Sequence, residues 1–431
     1  MYPNLYYAFK DIFGIDIPFF KVVNSFGFFV ALAFLISAWV LVKELKRKQA
    51  LGEFTFTETF ITVGQPANFA DLLINFILGF ILGFKIIGVL LVDKALDDPQ
   101  SFIFSSNGSW PAGLALGLLF GGLKWWEKNK NKLAKPEERK LRIWPSDRVG
   151  DIVIIAAAAG FIGAKIFDNL ENWDRFVEDP IGNLISPSGL TFYGGLIVAT
   201  FSLWYYFSKK NISFIKVADA AAPSLMLGYA LGRIGCQISG DGDWGIINTA
   251  YLTGLDGKIL PATSTSQMDT MLNTYSQIYT EHGLVGPVEH LSIKSFWGLP
   301  DWMFAYDYSH NVNRSGIPLM DCNWGDYCNH LPIPVFPTPF YEIIMGLILF
   351  GFLWSIRKKL KITGRLFSIY LIINGIERFF IEKIRVNTKY EIFGFHPTQA
   401  ELISSFLVIT GIVLYIYAPK LWPTPKAKAL N

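Results

Sequence analysis

Charge is scarce in this sequence. Asp, Glu, Lys and Arg make up 17% of its 431 residues, where a soluble chain carries about 25%. Cysteine is scarcer still: three residues, too few for a disulfide framework. The opening MYPNLYYAFKDIFGIDIPFF lacks a basic leader and a small-residue cleavage site, which argues against a cleavable signal peptide. It reads instead as an external, interfacial arm over residues 1–25, with Tyr, Phe and Lys near lipid headgroups. The net charge is small, +3, and the basic residues fall in short runs between apolar blocks, not in a stripe. Nucleic acid is therefore not an expected partner.

Apolar sequence is abundant. Hydrophobic residues reach 52% and aromatic residues 16%, with a mean hydropathy of +0.34. A spanning helix needs roughly 20 mainly apolar residues. Nine stretches qualify: 26–42, 72–93, 110–124, 150–168, 190–208, 217–236, 336–356, 364–384 and 399–418. Lys43, Lys46, Arg47 and Lys48 follow the first, and a basic run from Lys124 to Arg142 follows the third. Lys209 and Lys210 follow the fifth; Arg357, Lys358, Lys359 and Lys361 follow the seventh; Lys420, Lys426 and Lys428 close the chain. With nine spans all of these fall on one side, the cytoplasm by the positive-inside rule, so the N-terminus lies outside and the C-terminus inside.

The other side receives the acidic stretch 168–180 and the polar segment 237–335. The expected fold is an all-α polytopic membrane protein. Its parts are a membrane core over 26–245, an ordered external insert over 246–335, and a second core with a cytoplasmic tail over 336–431. A faint internal echo, GFILGFKIIG (79–88) against GFIGAKIFDN (160–169), hints at symmetry. Cys322 and Cys328 lie six positions apart in the insert, on the oxidising side, and are expected to form a disulfide.

Ionisable side chains within a span cost about 2.5–3.5 kcal/mol each. Here they cluster near the outer helix ends. The sixth span ends with Arg233, the eighth with Arg378, Glu382 and Arg385, and the seventh opens with Tyr341 and Glu342; Tyr193 opens the fifth. At about 100° per residue, positions 378, 382 and 385 share one helix face. One carboxylate between two guanidinium groups leaves surplus positive charge, which suits an anion such as phosphate. Arg385 is equally open to snorkelling at a helix end, and the glutamates to simple pairing with the arginines. Tyr341 also fits an aromatic belt.

The run GRIGCQISGDGDWG (232–245) carries Gly232, Gly235, Gly240, Gly242 and Gly245, which permit tight turns and close backbone approach. Asp241 and Asp243 follow where the helix must end, and turn capping accounts for them as well as function does. The D-G-D order, with no glutamate at the twelfth loop position, argues against a calcium loop. No metal or cofactor is expected.

This run resembles the signature G-R-x-G-N-F-x-N-G-E-x-x-G of prolipoprotein diacylglyceryl transferases. SGLTFYGGLIVA resembles that family's S-F-H-G-G-L-I-G, and VADAAAP its V-x-D-x-x-A-P. FPTPFYE resembles H-P-x-Q-L-Y-E, GIERFFIEKIR resembles G-x-x-R-x-x-x-E-x-x-R, and SFGFFVALAFLISAW resembles the first span. The departures are Tyr193 for a histidine proposed as base, Phe26 for a tyrosine, Cys236 and Asp241 for asparagine and glutamate, and Phe336 and Pro339 for His and Gln. HPTQAE (396–401) places Gln399 in a similar string.

The resemblance implies a multi-pass enzyme of the bacterial cytoplasmic (inner) membrane. It would move the diacylglyceryl group of phosphatidylglycerol onto the lipobox cysteine of a prolipoprotein signal peptide. Arg233, Arg378, Glu382, Tyr193 and Glu342 would then be catalytic. Arg385, Tyr341, Asp241, Gly194, Gly195, Gly235, Gly240 and Gln399 would bind substrate. Two other readings remain: a relative altered in catalysis that only binds lipid or prolipoprotein, and a secondary transporter of an anionic solute.

Overall fold

The computed structural model describes residues 1–96, 98–186, 189–280, 289–387, 389–391 and 394–423. The final basic residues Lys426 and Lys428 lie outside the described residues. Each of the nine apolar stretches forms a helix. After a short arm helix, α1 (Leu5–Phe13), come α2 (Ser25–Ala50), α3 (Phe69–Leu91), α4 (Trp110–Lys130), α5 (Val149–Glu171), α6 (Phe192–Lys209) and α7 (Phe214–Ser239). The insert supplies α8 (Thr265–Thr280), followed by α9 (Thr338–Ile356), α10 (Arg365–Glu382) and α11 (Gln399–Leu421). Six of these, α2, α3, α5, α7, α9 and α11, are long and apolar enough to cross a membrane. The protein is mostly helical and multi-pass.

It is not all-α. Thr57–Val63 pairs antiparallel with Glu137–Ile143, and three shorter ladders lie in the insert. The second of these strands lies in the basic run between the third and fourth apolar stretches. Lys140 and Arg142 both meet Glu58 across that ladder, an opposite-charge pairing that favours the register.

The described contacts divide the chain into two compact units. They cut across the sequence segments 1–25, 26–245, 246–335 and 336–431. One unit comprises Asp16–Val23 and Leu45–Phe214. Its helices pair as hairpins, α3 with α4 and α5 with α6. Small residues let the backbones touch: a Cβ at Gly163 would lie 2.5 Å from the Gly194 carbonyl oxygen, and one at Gly195 would lie 2.8 Å from that of Gly160. The internal echo has a structural counterpart. Lys85 of α3 donates to the carbonyls of Ser105 and Asn107 ahead of α4, and Lys165 of α5 donates to that of Gly189 ahead of α6. In each hairpin a helix lysine ties down the loop that leads into the next helix.

The other unit comprises Met1–Ile15, Asn24–Glu44 and Ile215–Asn431. The insert within it has its own core, with Trp244, Ile247, Met268, Tyr279, Tyr308, Leu331, Ile333 and Val335 buried together. The N-terminal arm docks on the insert. The Met1 ammonium donates to the Ser309 carbonyl, and the Tyr7 ring stacks on Trp324 at 4.5 Å. Trp324 lies within the loop closed by the Cys322–Cys328 disulfide. Alkylation of intact membranes should leave both cysteines unmodified until a reductant is added. Reduction should destabilise the insert by about 2 kcal/mol, from loop-closure entropy. Two alkylated thiols in the untreated sample would contradict the pairing.

Candidate active site

The site residues of the glycine-rich run and of α9 and α10 meet at helix ends. Arg233 lies in the second-last turn of α7. Gly240 and Gly242, with φ of 64° and 93°, then turn the chain sharply, which an L-residue adopts only with strain. The turned segment forms a small ladder: the Ile246 amide donates to the Ile384 carbonyl and the Gly245 amide to the Phe336 carbonyl, both at 2.9 Å. Gly245 must lack a side chain there, since a Cβ would come within 2.8 Å of both carbonyl oxygens. This ladder ties the end of the α7 segment to the start of α9 and the end of α10. At the opposite end of α10, Asp219 accepts the amides of Gly364 and Phe367 at 2.6 and 2.8 Å. That cap fixes the helix that carries Arg378.

Three arginines and three acids interlock in this corner. Arg233 Nε lies 3.2 Å from Glu342 Oε2, and its Nη1 holds Asp243. Arg378 reaches Glu342 at 3.4 Å and Glu382 at 2.9 Å. Arg385 also holds Asp243 and lies 3.6 Å from Glu342. Glu342 is fully buried and meets all three guanidinium groups. Glu382, equally buried, accepts from Asn387 and Thr398 at 2.6 and 2.7 Å. Asp243 is the most exposed acid of the three, at 25%.

Two expectations need correction. Arg385 does not extend the helical face of Arg378 and Glu382. The helix ends at Glu382, and Arg385 arrives from the turn beyond it, in the bridge to Gly245. The surplus positive charge expected on that face is also cancelled, because Asp243 and Glu342 come in from other elements. Three partly buried guanidinium groups brought this close together call for such acids.

The remaining site residues fall as follows. The Asp241 side chain accepts the Asp243 amide at 3.2 Å, so it caps the turn. Burial raises its carboxyl above the usual range, against the lowering effect of the Cys236 thiol and Arg233. Gly235 packs on α2, where a Cβ would lie 3.2 Å from the Phe26 carbonyl oxygen. The Tyr341 hydroxyl donates to the Met303 carbonyl of the insert at 2.5 Å. Gln399 is exposed in the first turn of α11, next to Thr398. Tyr193, Gly194 and Gly195 belong to the other unit. There the two glycines sit in the α5–α6 contact, and Tyr193 lies in the first turn of α6 with its ring edge-on to Phe192.

The family model described as prolipoprotein diacylglyceryl transferase matches residues 116–417. The chain belongs to this family. Curated relatives named phosphatidylglycerol–prolipoprotein diacylglyceryl transferase are similar along most of its length. The Dehalococcoides mccartyi protein is 26% identical over 63% of this chain and 77% of its own. The Leptospira interrogans protein is 24% identical over 74% and 93%, and the Lysinibacillus sphaericus protein 26% over 63% and 77%. The family match favours a transferase over an anion transporter.

Sequence reasoning passed over three residues of this transferase's corner. Asp243, for which turn capping and function stood equally open, is the acid that Arg233 and Arg385 share. Tyr229 places its hydroxyl 2.8 Å from Glu342 and 3.1 Å from Glu377. Glu377 is a buried acid for which no ion pair is found among the described residues, and its second oxygen has no hydrogen-bond partner among them. Helical spacing carried a usable signal: Tyr229 lies one turn before Arg233, and Glu377 directly precedes Arg378.

Proposed function

We propose that this transferase moves the diacylglyceryl group of phosphatidylglycerol onto the lipobox cysteine of a prolipoprotein. The names of its relatives support both substrates. The observation that carries the reading is the joint grip of Arg233 and Arg385 on Asp243. It is a two-arginine cradle for a single anion, closed by the most exposed acid of the cluster. A lipid phosphate offers the same bidentate acceptors and would take the place of the Asp243 carboxylate.

In the transfer, the cysteine sulfur forms a bond to the glycerol carbon and the bond from that carbon to the phosphate oxygen breaks. The electron pair leaves with glycerol phosphate, and Arg233, Arg378 and Arg385 stabilise that developing charge. The thiol, with a pKa of about 8.5, must lose its proton. Glu342 borders the cradle, and Tyr229 links it to Oε1 of Glu377, whose Oε2 is uncommitted among the described residues. A proton taken up at Glu342 therefore has a hydrogen-bonded path away from the arginines. Glu382 holds Arg378 in place. A tyrosine, with a pKa of about 10, is a poor base near neutrality, so the role proposed for Tyr193 is that of a hydrogen-bond donor and not of the base.

Purified protein should transfer labelled diacylglyceryl from phosphatidylglycerol vesicles to a lipobox peptide, with release of glycerol phosphate. Binding of either substrate without product would leave the altered-relative reading in its place. In the same assay Tyr193→Phe should be about 10- to 150-fold slower, the loss of one charge-assisted hydrogen bond worth roughly 1.5–3 kcal/mol. A wild-type rate would remove Tyr193 from the mechanism.

Nine spans, an external N-terminus and a cytoplasmic C-terminus in the bacterial inner membrane complete the proposal. The alternation of the basic runs supports it. A reporter inserted near residue 270 should read external, and one fused after residue 431 should read cytoplasmic. A cytoplasmic reading at 270 would overturn the arrangement.

A further inference from the structure

The insert carries an apolar projection that the transfer chemistry does not use. Along 291–302, Leu291, Ile293, Phe296, Trp297, Leu299 and Trp302 are all exposed, and Trp297 reaches 91%. Trp297 and Gly298 both have positive φ, 55° and 73°, so the chain makes a tight turn with an indole at its tip. A polar loop tip is the ordinary outcome in water. Exposed large apolar groups in a row call for a partner surface.

The base of the projection is held firmly. Asn248, fully buried, donates to the carbonyls of Ile293 and Phe304 at 2.8 and 3.0 Å and accepts the Ile293 amide at 3.1 Å. Asp301 accepts from the Tyr251 and Ser295 hydroxyls at 2.8 and 2.6 Å, and the Ser295 amide donates to the Tyr251 hydroxyl. The apolar tips are therefore presented by a rigid frame, not by a loop that could fold them away.

The frame is attached to a spanning helix. Trp302 packs edge-on to Phe340 at 4.9 Å, and Tyr341 bonds the Met303 carbonyl. Phe340 and Tyr341 lie in the first turn of α9, whose Ile344, Leu347, Ile348 and Phe352 are exposed along the span. The projection thus continues the exposed apolar surface of α9 beyond that helix's first turn. Trp and Phe favour the membrane interface, where the rings meet acyl chains and the polar edges meet headgroups. Lys294, exposed within the same loop, adds a cation for lipid phosphate.

We infer that loop 291–302 is a membrane-interface anchor that inserts Trp297 and its neighbours into the outer leaflet, seating the insert on the bilayer that supplies the lipid substrate. The choice of leaflet rests on the orientation proposed above. Insertion itself does not, so the depth measurement and the topology reporter fail independently.

The test is a nitroxide placed at Trp297→Cys or Leu299→Cys in full-length protein in phosphatidylglycerol-containing nanodiscs. The native cysteines do not compete, because Cys236 is buried and the other two are paired. Collisions with oxygen should exceed those with a water-soluble nickel chelate at both positions. The reverse should hold at Lys258→Cys, on a charged turn of the insert. Chelate-dominated collisions at 297 and 299 would overturn the inference. So would dipolar broadening between two copies, or protection of both sites only when a lipobox peptide is added. A Phe296→Asp/Trp297→Asp double variant should lose transfer several-fold with bilayer phosphatidylglycerol while keeping it with a short-chain, dispersed analogue. Equal loss with both substrates would also count against anchoring.

Discussion

Arg233→Lys should lower transfer on the order of 10²–10³-fold while the protein still inserts and folds. The magnitude is that of removing one donor aimed at developing charge. The geometry explains why a retained positive charge is not enough. The Arg233 guanidinium serves two directions at once, Nε to Glu342 and Nη1 to Asp243, and its planar fork can keep the first contact while the second passes to phosphate. An ammonium is a point donor without that division of labour. Folding is checked separately by the intact Cys322–Cys328 disulfide and by thermal unfolding in detergent. A Lys variant that lipidates at the normal rate would remove Arg233 from phosphate binding.

Glu342→Gln should be the most destabilising isosteric change in the corner. Glu342 is the one acid that all three arginines meet. Its neutralisation leaves those three guanidinium groups with two acids, Asp243 and Glu382. Breaking a fully buried ion pair costs about 3–5 kcal/mol, an upper bound here because the three guanidinium groups keep 10% to 20% of their surface exposed. The unfolding midpoint in detergent should drop accordingly, and transfer should be lost. Phosphatidylglycerol should raise the variant's midpoint more than that of the wild type, because its phosphate supplies the missing anion. An unchanged midpoint would mean that Asp243 and Glu382 suffice to hold the cluster. An equal lipid effect on both proteins would argue that phosphate does not enter it.

The helix positions were legible because the hydropathy of an apolar stretch is a local property that needs no partner; six of those helices are long and apolar enough to cross a membrane. The convergence of Arg233, Glu342 and Arg378 was legible for a related reason: alternating spans bring the end of one helix beside the start of the next. Arg385 was misplaced because helical periodicity was carried three residues past a helix end, at Glu382, that nothing in GIERFFIEKIR marks. The neutral balance of the cluster was missed because Asp243 looks like one more turn residue among glycines. Only the ladder of 245–246 with 336 and 384–385 brings it onto two arginines.

From the sequence alone came the membrane class, the helix positions and the acids and bases that lipid would force together, since uncompensated charge at that depth is costly wherever the chain runs. The tertiary structure decided which acid meets which arginine, that Glu377 keeps an uncommitted oxygen behind Tyr229, and that the apolar loop 291–302 stands on the first turn of α9. Each of these depends on segments tens of residues apart, joined by backbone ladders and packing whose register no local pattern encodes.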